Sequence, residues 1–214
     1  MTIWGVVSDI HGNLAALEAA AADCARLGAT RFACLGDVIG RGDPEGCVAW
    51  VRDHADLAIV GNRDLDYLSR VSEPLQQVVR DWPNEALASD FVLSHGDPSL
   101  HRVLSSRAER DGFAHAASYA AERGAVLWLF GHTHRARAWT VADGTSESLE
   151  ANVVEIRAGL QYVVNAGTTG LPLPGRGPAS CIVYDDVARL LQFVPVEARQ
   201  RTLTVGSARS SGRT

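Results

Sequence analysis

Long apolar runs are missing from this chain. None approaches the ~20 residues that a membrane helix needs. The opening "MTIWGVVSDIHGN" has neither the basic start nor the long apolar stretch of a secretory leader. The expectation is a cytoplasmic chain with no membrane partner. Cysteine is scarce and unpaired: Cys24, Cys34, Cys47 and Cys181 are scattered, with no C-x-x-C. That argues against a disulfide framework and for reduced, buried thiols. Positive charge is also short, with 20 Lys and Arg against 25 Asp and Glu and a net charge of −5. A broad electrostatic grip on nucleic acid is therefore not expected. No basic, aromatic-studded groove is evident either. A small phosphorylated substrate held by a local cationic site remains compatible with this balance. Repeats and an internal domain boundary are absent, and 214 residues with 46% apolar content suit one domain with a large core.

What is present is alternation. "IWGVV" (3–7), "RFACL" (31–35), "LAIV" (57–60), "FVLS" (91–94) and "VLWLF" (126–130) read as strands. Between them lie helical patterns. Asn13 caps one that carries Leu14, Leu17, Ala21, Cys24 and Leu27 on a face and stops at Gly28. Asp43-Pro44 starts another, with Cys47, Val48 and Val51 inward. Residues 64–88 read as helical with a break at "DWPN", and a last helix covers 111–123. After residue 135 the rhythm changes to "RARAWTVA", "SLEANVVEI", "QYVVN", "ASCIVYD" and "LLQFVPV", a block of antiparallel strands closing the sheet. The fold class is α/β, with one domain over 1–198. Residues 199–214, rich in Arg, Ser, Thr and Gly, read as a disordered tail.

Each of the first five strands ends in a Gly-bearing turn with Asp, Asn or His: "SDIHGN", "GDVIGRG", "GNRD", "SHGD" and "GHTH". One such turn is an ordinary turn former or helix cap. Five in succession place Asp9, His11, Asp37, Asn62, His95, His132 and His134 along one edge, where the carboxyl ends of parallel strands form crevices. The set holds imidazoles and carboxylates and no thiolate. That chemistry suits Zn, Mn, Fe or Ni. Seven ligands exceed one catalytic ion with an open position and suit two, with one Asp shared.

The series Asp9-x-His11, Gly36-Asp37-x-x-x-Arg41-Gly42, Gly61-Asn62-x-Asp64, His95 and Gly131-His132-x-His134 resembles the calcineurin-like metallophosphoesterase superfamily over residues 8–134. The resemblance implies a four-layer αββα sandwich with two facing mixed β-sheets. It implies that Asp9, His11 and His134 hold one divalent metal, that Asn62, His95 and His132 hold another, and that Asp37 bridges them. It also implies in-line attack on a phosphomonoester or phosphodiester by a hydroxide between the metals. The substrate would be a small phosphorylated molecule or a phosphoprotein. A catalytically idle scaffold on the same fold would lack ligands, and here the set is complete. A nuclease is the other alternative, and the acidic balance argues against it.

Further candidates flank this set. The resemblance assigns Arg41 to phosphate contact, and a guanidinium suits that through its fork of donors; its bland alternative is an ion pair with Asp43 or Glu45. His101, on the loop after "SHGD", is a candidate for substrate contact or proton transfer. His54 and His115 read as surface residues. Asn165, Gly167 and Thr168 are expected to shape the site from its far side, while Arg176 either reaches a substrate or is a plain surface residue. At "GNRD" the chain departs from the family's frequent pattern, which has a His general acid after the Asn. Here Arg63 stands there, able to hold a phosphoryl oxygen and unable to give a proton, with Asp64 placed to steer it. The alternative is an Arg63 turned into a surface ion pair.

Overall fold

The computed structural model describes residues 2–88, 90–96 and 113–197. Its strands are β1 (Ile3–Val7), β2 (Arg31–Cys34), β3 (Leu57–Ala58), β4 (Glu85–Leu87), β5 (Phe91–Ser94), β6 (Leu127–Phe130), β7 (Arg137–Ala142), β8 (Thr145–Leu149), β9 (Val153–Glu155), β10 (Gln161–Asn165), β11 (Ser180–Asp185) and β12 (Leu190–Pro195). The helices are α1 (Leu14–Arg26), α2 (Pro44–His54), α3 (Asn62–Asp66), α4 (Glu73–Arg80) and α5 (Ala114–Glu122). Two mixed six-stranded sheets result, ordered β3-β2-β1-β11-β12-β9 and β4-β5-β6-β10-β7-β8.

Strand periodicity explains the layering. In β1, Trp4 and Val6 face the second sheet while Val7 faces α1 and α2. In β6, Leu127 and Leu129 face the first sheet while Trp128 and Phe130 face α5. Successive side chains point to opposite faces, so these unbroken apolar runs bury both. A central core lies between the sheets, and an outer core lies under helices on each side. This is the four-layer α/β arrangement. Each fully buried Leu or Phe contributes roughly 1.5–3 kcal/mol.

Several local expectations are corrected. Residues 64–88 are not one broken helix: they form α3, a 3-10 turn at Leu68–Arg70, α4 and then β4. Glu85–Leu87 becomes a strand because it pairs antiparallel with β5, a long-range gain invisible to local pattern. On α1 the buried face is Ala16, Leu17, Ala20 and Cys24, and Leu27 is 43% exposed. Leu17 and Cys24 of the expected face are buried and Leu14 packs against the core, while Leu27, the C-cap residue, turns outward. The segment "SLEANVVEI" is two strands in different sheets, and β10 runs parallel to β6. The C-terminal strands therefore complete both sheets rather than closing one. All four cysteines are free and buried. The tail expected at 199–214 lies outside the described residues.

Parallel register positions the site. Val7 is opposite Cys34 and Leu93 is opposite Leu129. Beyond the strands the pairing continues: Asp9 N donates to Gly36 O (3.0 Å), His11 N to Asp37 O (2.9 Å) and Gly131 N to His95 O (3.2 Å). The turns that follow the strands of both sheets thus meet along one edge.

Candidate metal centre

Asp9, His11 and His134 form one cluster of ligand atoms, and Asp37, His95 and His132 form a second. Asn62 joins the second, its Oδ1 3.0 Å from His132 Nδ1. Asp37 Oδ2 faces both, 3.4 Å from His95 Nε2 and 3.8 Å from His11 Nε2. Its other oxygen accepts from Arg63 N at 2.7 Å. All seven residues chosen from the strand ends therefore converge.

The backbone is strained where they do. Asp9, His11, Asp37, His132 and His134 all have φ between 51° and 69°, in the left-handed region. That conformation costs of order 1–3 kcal/mol for each non-glycine residue. Among the described residues, only Asp143 and Arg189 share it without belonging to the site. Gly131 is a steric necessity. A Cβ there would lie 2.0 Å from Ser8 Oγ and 2.5 Å from Asp9 Oδ2.

The donor set fits cations. His95 Nδ1 lies 2.7 Å from Leu35 O and His134 Nδ1 lies 2.8 Å from Leu171 O. Carbonyls only accept, so each Nδ1 carries its proton, and each neutral ring turns an Nε2 lone pair inward. His134 Nε2 then faces Asp9 Oδ1 at 3.1 Å and His11 Nε2 at 3.1 Å. Asp9 Oδ1 is buried with no hydrogen-bond partner, although Oδ2 accepts from Ser8 Oγ (2.6 Å) and His132 N (2.9 Å). Such acceptors facing one another require a cation between them, either a metal or a proton.

The ionisation of the metal-free chain follows from this crowding. Burial works against a charged His95, but its hydrogen bond to Asp37 and the nearby Asp9 and Asp37 carboxylates push it up to about 9. Burial likewise opposes charge on His134, and Asp9 outweighs it, raising the ring. His132 is lowered, by burial and then by the charge of His95. Burial would raise the Asp9 carboxyl, yet His11 and His134 hold it well below the carboxylate range.

The flanking candidates separate. Asp64 does not steer Arg63. Its fully buried carboxylate accepts from Asp37 N (2.9 Å), Val38 N (2.8 Å), Ile39 N (2.8 Å) and Gly61 N (2.8 Å). It is the hub that folds the Asp37 loop against the Asn62 turn. Four inward N–H groups satisfy it better than an exposed guanidinium could. Arg63 lines a cavity of about 420 Å³ over the clusters, with its Nη1 on Asp66 at 3.2 Å. Arg41 lies beside His11 in the wall of a larger neighbouring groove. Neither alternative partner holds it: Asp43 caps α2 through Gly46 N, and Glu45 accepts from Ser72 N. His101 lies outside the described residues. His54 stacks on Trp50, and His115 is exposed.

Residues 165–176 contribute more than the sequence suggested. Asn165 Nδ2 donates to Gly131 O (2.7 Å) and to Thr133 Oγ1 (2.9 Å), while Thr168 Oγ1 donates to Asp9 O (2.8 Å). Arg176, read from the sequence as a substrate contact or a plain surface residue, lines the cavity over the clusters, and Ser8, which braces Asp9, was not singled out. Ser8 directly precedes Asp9, and that adjacency was its available signal.

Comparison with known proteins agrees with this geometry. The chain is 25% identical over 211 residues to Uncharacterized protein MJ0912 of Methanocaldococcus jannaschii, covering 90% of this chain and 86% of that one. Its fold matches a metallophosphoesterase from Sphaerobacter thermophilus with a TM-score of 0.77 and 24% identity, covering 92% of this chain and 90% of that one. YfcE, a phosphoesterase from E. coli, matches with a TM-score of 0.50 and 22% identity, over 92% and 100% of the respective chains. The family described as the calcineurin-like phosphoesterase superfamily domain matches residues 1–186. With that match and two carboxylate-histidine clusters at the meeting strand ends, the chain belongs to the calcineurin-like phosphoesterase superfamily.

Proposed function

We propose that this chain is a dinuclear-metal-dependent phosphoesterase that hydrolyses phosphomonoesters or phosphodiesters. The observation that carries the reading is Asp37, whose Oδ2 stands between the two clusters. Asp9, His11 and His134 would hold one divalent ion, and Asn62, His95 and His132 the other, with Asp37 shared. Mn, Fe, Zn and Ni all suit these donors. Bound there, the ions would clamp a phosphoryl group and make water nucleophilic near neutral pH. The protein's part is positioning: the Leu35 and Leu171 carbonyls aim two of the rings. No helix among the described residues is long and apolar enough to cross a membrane.

Arg63 stays charged through the working pH range, so that position of the cavity wall offers a guanidinium, paired with Asp66 and able to take a phosphoryl oxygen, and no proton donor. Esters with acidic, aryl leaving groups are therefore the preferred substrates. The test is turnover of an aryl phosphomonoester and an aryl phosphodiester by protein reconstituted with each candidate metal. Hydrolysis of at least one, abolished by chelation and restored by metal, is the expected result. A fully loaded protein inert to both would make it a binding scaffold instead.

A further inference from the structure

Two arginines, Arg63 and Arg176, line the cavity over the clusters, and they are not equivalent. Arg63 is engaged by Asp66, and its guanidinium lies 5.9 Å from the Tyr67 ring centroid. Arg176 is half-buried, and its Nη1 donates to Thr133 O at 3.2 Å. Among the described residues it has no carboxylate partner. A guanidinium carries five N–H donors in a planar fork, so one bond to a carbonyl leaves both charge and donors for a ligand.

Its position is set by the site itself. Thr133 stands between His132 and His134, one histidine from each cluster. The supporting loop is tied to the ligand turns. Gly170 N donates to Asp9 O (3.1 Å), Asn13 Nδ2 to Gly170 O (3.0 Å) and Leu171 N to Thr168 Oγ1 (2.9 Å). Arg176 N closes a turn onto Leu173 O at 3.0 Å, and Pro172, Pro174 and Pro178 restrict the backbone around it. A pre-positioned guanidinium loses little freedom on binding. Leu171 and Leu173 line the same cavity and offer no competing acceptor side chains.

We infer that Arg176 is a substrate-binding residue, its guanidinium taking a non-transferred oxygen of the ester's phosphoryl group. The assignment rests on the phosphoesterase reading above and adds an anion-binding side chain to the cavity that Arg63 also lines.

The experiment is calorimetric titration of inorganic phosphate into the metal-loaded full chain, with metal content measured on every sample. Arg176→Ala is expected to keep both metals and its melting temperature while binding phosphate roughly ten- to hundredfold more weakly, the scale of a lost charge-assisted bond. Arg176→Lys should recover part of the loss, and Arg63→Ala should cost less than Arg176→Ala. On an aryl phosphate, Arg176→Ala should raise KM more than it lowers kcat. Phosphate binding by Arg176→Ala within twofold of the unmodified chain, at equal metal content, would overturn the assignment alone. A loaded, unmodified chain that binds no phosphate would overturn the phosphoesterase reading as well.

Discussion

The two clusters are built differently. Asp9, His11 and His134 all sit in left-handed backbone, and their turns are pinned by the segment after β10, through Thr168 to Asp9 O and through Leu171 O to His134. In the second cluster Asp37 and His132 have that conformation, and the Asp37 turn is braced from beneath by buried Asp64. The strained turns of one cluster are held by a strap, those of the other by a polar hub. Asp37 belongs to the hub side yet faces both. A shared carboxylate thus needs support that does not depend on either cluster alone.

Breaking that shared group should have the largest effect. Asp37→Asn is expected to weaken metal at both clusters, and His134→Ala chiefly at the first. Loss of an outer-sphere partner typically costs ~10–100-fold in affinity or activity, so Asp37→Asn should exceed this range. Elemental analysis decides it, since a full metal pair in Asp37→Asn would exclude a bridging role.

A second pair of variants separates hub from strap. Asp64→Asn sets an NH₂ group against backbone donors and should cost about 2–5 kcal/mol in chemical denaturation, because buried unsatisfied groups cost ~1–3 kcal/mol each. Thr168→Val removes the bond to Asp9 O and the acceptor for Leu171 N, and should cost about 1–2 kcal/mol. The comparison fails if Thr168→Val proves the more damaging.

The smallest effect concerns protons. In the metal-free chain each cluster contains a histidine raised by its carboxylates, and His95 reaches about 9. A raised imidazole stabilises the fold fully below its unfolded pKa, near 6.5, and that contribution fades as pH climbs through about 9. The melting temperature of chelated protein should therefore drop modestly between pH 6.5 and 9 on this account, while metal-loaded protein should not follow it. Proton release on metal loading should be measurable over the same window. A chelated melting temperature flat across it would contradict the raised His95.

Much of the molecule was legible in the sequence because its signals are local. Apolar runs such as "VLWLF" announce strands buried on both faces, and the Gly-Asp, Gly-Asn and Gly-His turns announce a ligand edge. Less legible was anything that depended on partners far along the chain. Asp64 was read as a steering acid because a carboxylate beside Arg63 suggests an ion pair. Only the arrival of the Asp37 turn supplies the four N–H donors it accepts. Arg176 had two readings, substrate contact or plain surface, because a Gly- and Pro-rich segment does not reveal what it folds against. Short Glu85–Leu87 has little strand pattern of its own and exists by pairing with β5.

By itself the sequence determined the α/β class, the ligand types and the order in which they follow the strands, since periodicity and turn chemistry are properties of neighbouring residues. Tertiary structure alone decided the division of the twelve described strands between two sheets, the left-handed turns of the ligands, the hub role of Asp64 and the cavity position of Arg176. The physical reason is that these features arise from hydrogen bonds and packing between segments far apart in the chain, such as Thr168 with Asp9, separated by 159 positions. No local propensity encodes such distances.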